Sequence, residues 1–156
     1  MSKHRFFAWF LAFTFGLWLT APSIMAADAA GMHLEVVLVW GTNEAKPDDP
    51  NLKELDPGLA KKLGRAPYKW KNYFEVRRKE VNVALKSTEK LPMSKHCSLE
   101  IRNLGNERLE VKLIGQGKPV SRSVESLPMG HTMILGGDGT NDTAWLIVLR
   151  QISAGK

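Results

Sequence analysis

The 156-residue chain has a single cysteine, Cys97, so no disulfide can form within it. Small exported domains commonly lean on disulfides, and here the hydrophobic core must hold the fold unaided. A free cysteine in an oxidising compartment is buried and inert, reactive, paired with another chain or a metal ligand, and burial is its most frequent state. The sequence also lacks an internal repeat, a low-complexity tail and, after residue 26, any apolar run of the roughly 17–25 residues that a membrane-spanning helix needs. Paired carboxylates on strands, a nucleophile elbow, a zinc helix motif and a phosphate loop are all missing, which predicts a protein that is not an enzyme.

The longest apolar run stands at the beginning. Met1-Ser2-Lys3-His4-Arg5 is basic, Phe6 to Ala21 carries no charge, and small residues follow in Ala21-Pro22-Ser23-Ile24-Met25-Ala26-Ala27. A charged start, an apolar middle and a small-residue exit predict a signal peptide over 1–26, cut after Ala26 or, alternatively, after Ala29. A retained anchor is the competing reading, opposed by the shortness of the run and by Pro22. Residues 27–156 are then a single secreted β domain, periplasmic or extracellular, with no membrane span after cleavage. Cleavage removes Lys3 and Arg5 and no acidic residue, leaving 20 basic against 16 acidic residues and a net charge of +4. So mild a charge, together with export, speaks against a nucleic-acid partner.

The patterning after residue 32 is that of strands. His33 to Trp40 is β-branched and aromatic and ends at Gly41-Thr42-Asn43, while Lys46 to Asn51, with two prolines and no apolar residue, reads as a solvated loop. Asp56 to Gly64 predicts one short helix, with Asp56 as N-cap, Pro57 at the first position and Gly64 in the left-handed C-terminal position. Its Leu55, Leu59 and Leu63 stripe is expected to cover a sheet edge or open end.

After Pro67, alternation from Trp70 through Val76 to Val81 and Val83 predicts a long strand with a bulge. Leu99 and Ile101, then Leu109, Val111 and Leu113, face one way across a Gly105-Asn106 turn, with Glu100, Arg102, Glu110 and Lys112 outside. Pro119 to Leu127 is a polar strand, and Met129 to Leu135 and Ala144 to Ile152 are apolar strands around a glycine- and asparagine-rich turn. About seven strands and one short helix predict an all-β fold, an antiparallel β-sandwich or partly open barrel, in which Trp145 is either core, its loss then costing about 3–5 kcal/mol, or surface.

Three segments carry binding chemistry. In the first, Tyr68, Trp70, Lys71, Tyr73, Arg77 and Arg78 interleave aromatic and basic side chains, which suits stacking on sugars and attraction of an anionic polymer. The same alternation also fits a strand with Trp70, Phe74 and Val76 in the core and the lysines outside. In the second, His96 and Cys97 after Met93, with His131 and Met133, offer the thiolate, imidazole and thioether ligands that suit copper. His131-Thr132-Met133 after Leu127-Pro128 resembles the His-x-Met ending of the periplasmic copper-chaperone domains, exported all-β proteins of similar size. The upstream position where that family carries a methionine is Leu109 here.

The third segment, Asp138 to Asp142, has the oxygen-bearing side chains of a calcium loop but Thr143 where glycine is required, and a hairpin turn accounts for it. His96 and Cys97 point to opposite faces if both lie on a strand, which argues against a thiol dyad. The sequence therefore predicts an exported, non-enzymatic β-sandwich without a cofactor. Its partner is an envelope or extracellular protein or an anionic polysaccharide, and a copper-handling periplasmic protein is the alternative.

Overall fold

The structure is a computed structural model and describes residues 31–45, 49–65, 68–138 and 142–152. The predicted signal peptide, residues 46–48 of the predicted loop and residues 139–141 of the calcium-like turn lie outside the described residues.

The first sheet is built from β1 (Met32–Thr42), β2 (Lys53–Glu54), β3 (Asn72–Val83), β8 (Thr132–Asp138) and β9 (Ala144–Gln151), in the order β2-β3-β1-β9-β8. The second is built from β4 (Thr88–Pro92), β5 (Cys97–Gly105), β6 (Arg108–Gly115) and β7 (Lys118–Ser126), in sequence order. All pairings are antiparallel, and the two sheets pack face to face as the predicted sandwich. No helix among the described residues is long and apolar enough to cross a membrane.

β1 is the middle strand of its sheet and is covered on both faces, which is why it is apolar almost throughout. Leu34, Val36 and Leu38 meet Leu99, Ile101, Leu109 and Val111 of the second sheet in the inner core. Val37 and Val39 point the other way, onto Leu55, Leu59, Leu63, Trp70 and Tyr73. The helix α1 (Pro57–Leu63) therefore covers the outer face of the first sheet, not the edge or end that its stripe alone suggested. Val37, Val39, Leu146 and Val148 would otherwise expose a second apolar face, and burying each is worth about 1.5–3 kcal/mol.

The caps of α1 are local. Asp56 Oδ1 accepts from Leu59 N at 3.0 Å and Pro57 starts the helix, as expected. Gly64 differs from expectation: its φ is −71°, and its N–H closes an ordinary helical bond to Ala60 O, so no left-handed residue is used. The β5–β6 and β6–β7 hairpins turn on Asn106-Glu107 (φ 52° and 59°) and Gln116-Gly117 (φ 50° and 76°), pairs of positive φ that match the twist of the strands they join.

Candidate functional site

At one end of the sandwich the sheets part around a cleft of about 710 Å³. The first sheet contributes Leu38, Val76 and Trp145, and the second contributes Cys97, Leu113, Gly115 and Val120, with Ser94, Lys95, His96 and Gln116 at its turns. Each contribution has a local cause. In β1, Leu38 and Trp40 share the inner face by alternation, and β9 places Trp145 opposite Trp40 while β3 places Phe74 on its other side. The three rings form a row, with Trp40 6.1 Å from Phe74 and 6.4 Å from Trp145 between ring centroids. Such spacing suits tilted and offset aromatic pairs.

The second sheet faces this side with little bulk. Gly115 pairs with Cys97, and a Cβ on Gly115 would meet Val120 Cγ2 at 2.8 Å. Val120 is the extra residue of a bulge, because Leu113 pairs with Ser121 and Ile114 with Pro119. A bulge re-aims its extra side chain, and Val120 lines the cleft while 60% exposed. Trp145 is likewise 48% exposed, so of the two places its apolar strand allows, core or surface, it takes the surface and lines the cleft.

The turn that closes the cleft on the second sheet is held by its backbone. Met93 N and Ser94 N both donate to Cys97 O, His96 N donates to Ser94 Oγ, and Gln116 N donates to His96 O at 2.8 Å. Cys97 is half-buried against the inner core, and burial pushes its thiol above the ordinary value. At neutral pH it stays protonated and is a weak nucleophile.

The residues singled out by sequence distribute differently. Trp70 is buried under α1 and its indole N–H donates to Asp142 O at 2.8 Å, and Tyr73 is buried with its hydroxyl donating to Leu63 O at 3.0 Å. Tyr68 packs partly buried against the same outer core. Burial raises the phenol pKa of both tyrosines, for Tyr73 against a lowering hydrogen bond. Lys71 and Arg77 are exposed, whereas Arg78 reaches Glu35 at 2.6 Å and Glu75 at 2.5 Å. The aromatic faces of this segment are thus spent on the fold, and no continuous aromatic-basic patch forms from them.

His96 and Cys97 border the cleft, but His131 and Met133 do not. Met133 is buried opposite Leu149, four residues along β8 from Gly137, the partner of Trp145, which is roughly 13 Å of strand. His131 precedes β8 and is exposed. The four side chains are not brought together, and among the described residues no group of three or more His, Cys, Asp or Glu is placed to hold a metal.

Sequence reasoning missed the cleft itself. Its apolar lining comes from β1, β3, β5, β6, β7 and β9, and only the unusual exposure of Val120 and Trp145 marks it. Compared with known protein families, curated proteins and solved structures, the chain has no match.

Proposed function

We propose that this protein is an exported, non-enzymatic binding module of the cell envelope or extracellular space, and that it works by holding an apolar ligand in the cleft between its sheets. The observation that carries the reading is the cleft: about 710 Å³, lined by Leu38, Val76, Leu113, Val120 and Trp145. That volume falls within the roughly 300–1,000 Å³ of small-molecule sites, whose walls are mostly apolar with a few polar groups at fixed places. Trp145 and Val120 would be costly to leave facing water without a use, and a ligand that covers them recovers that burial. Export is supported by the charged, apolar and small-residue order of residues 1–26.

Two measurements test the two halves. Mass analysis of the protein recovered after expression of the full chain should find Ala27 at the N-terminus, and an intact Met1 to Ala26 segment would overturn export. Titration with N-phenyl-1-naphthylamine, a neutral fluorophore that brightens in apolar surroundings, should saturate at one site per chain. Trp145→Ala should weaken it about tenfold or more, the equivalent of roughly 1.4 kcal/mol. Absence of saturable binding would overturn the ligand-binding reading.

A further inference from the structure

We infer that the cleft takes an amphiphile with an apolar chain and an anionic head group, the head lying on the Ser94–His96 turn; this rests on the ligand-binding reading above. Polarity in the lining is segregated. Leu38, Leu113 and Trp145 make apolar walls, whereas Ser94, Lys95, His96 and Gln116 are all exposed and belong to two adjoining turns tied by the Gln116 N to His96 O bond. A ligand apolar throughout would leave these polar groups against hydrocarbon, and a ligand polar throughout would leave the walls unmatched.

The sign of the head follows from charge. Among the described residues no acidic side chain lines the cleft. Lys95 makes no ion pair among the described residues, a state it shares with other surface cations such as Arg77 and Lys118, but of these it alone stands in the described lining of the cleft. An unmatched ammonium at the mouth of an apolar cleft favours a carboxylate or phosphate there, and the Ser94 hydroxyl and the Gln116 amide supply further donors. No counter-charge in the described lining has to be displaced first.

The test is displacement of bound N-phenyl-1-naphthylamine by three ligands of one chain length, each below its micelle concentration: dodecanoate, dodecanol and dodecyltrimethylammonium. Dodecanoate should displace at about three- to tenfold lower concentration than dodecanol, with the cation weakest, the range expected for one partly exposed charged hydrogen bond. Lys95→Glu should abolish or reverse that order. Its melting curve should match the unmodified protein, because the exposed Lys95 side chain has no ion-pair partner among the described residues to lose. Equal displacement by all three, unchanged in Lys95→Glu, would overturn the anionic-head inference and leave the cleft reading standing. Failure of the fluorophore itself to bind would overturn both.

Discussion

Asn103→Ala should cost far more stability than the loss of one small polar side chain implies. Asn103 continues the inward row of Leu99 and Ile101 on β5, yet it is polar and only 1% exposed. Its side chain donates to Val83 O at 2.9 Å and accepts from Gly105 N at 2.9 Å, and its backbone bonds Lys86 and Ser87. These four bonds clamp the corner where the chain leaves β3 in the first sheet for β4 in the second. Alanine removes the two side-chain bonds. Val83 is fully buried and pairs with Met32 across the ladder, so its carbonyl loses one of its donors at a cost of about 0.5–1.5 kcal/mol, and Gly105 N, half-buried and within reach of water, adds about 0.5–1 kcal/mol. With the small void included, a loss of about 2–4 kcal/mol is expected.

Urea unfolding followed by tryptophan fluorescence reads this as a lower midpoint at unchanged slope, and a thermal scan as a Tm lowered by roughly 8–15 °C. Asn103→Asp keeps the acceptor for Gly105 but sets a carboxylate against the Val83 carbonyl. It should be at least as unstable at neutral pH and recover part of the loss as pH falls. An Asn103→Ala protein within 0.5 kcal/mol of the parent would refute the corner argument.

Two further outcomes follow from burial and charge. Trp70→Ala should destabilise by about 3–5 kcal/mol, because Trp70 is 8% exposed and hydrogen-bonded, while Trp145→Ala, at 48% exposure beside an open cleft, should cost about 1–2 kcal/mol; the reverse order in urea melts would contradict the assignment of Trp145 to the cleft. Glu35 is buried between Arg78 and Arg150; burial pushes its carboxyl up, but hydrogen bonds from Arg150 and Arg78 outweigh this and hold it below the ordinary value. A lowered folded pKa means stability that is present above the unfolded pKa near 4.5 and lost as pH falls through the folded value. Glu35→Gln should therefore cost about 1–2 kcal/mol at pH 7, reduced from a fully buried pair because both arginines are partly exposed, and should flatten the acid limb. Parallel stability curves for the two proteins below pH 5 would contradict it.

The elements that repeat a local rule are readable in the sequence. Leu99, Ile101, Leu109, Val111 and Leu113 alternate and fall on the inner face, and Asp56-Pro57 starts the helix. What escapes is set by partners remote in sequence. β4 buries only Leu91 and so carries no apolar alternation, and β2 is two residues long. Alternation favours core over a sugar-stacking surface for Trp70 but puts Tyr73 on the face with the lysines, and only α1 lying over both makes both of them core. β9 is apolar on both faces, so nothing in Ala144 to Leu149 tells Trp145, at the cleft, from Ile147, in the inner core. The cleft depends on a bulge at Val120 and on missing bulk at Gly115, and neither shows in composition.

Ligand binding at the open end of the sandwich is read out by backbone and methyl NMR shifts during titration with N-phenyl-1-naphthylamine. Shifts should concentrate at Leu38, Val76, Cys97, Leu113, Val120 and Trp145 in the lining of the cleft. Shifts centred instead on Tyr68, Lys71, Arg77 and Arg78, or none at a saturating concentration, would contradict it.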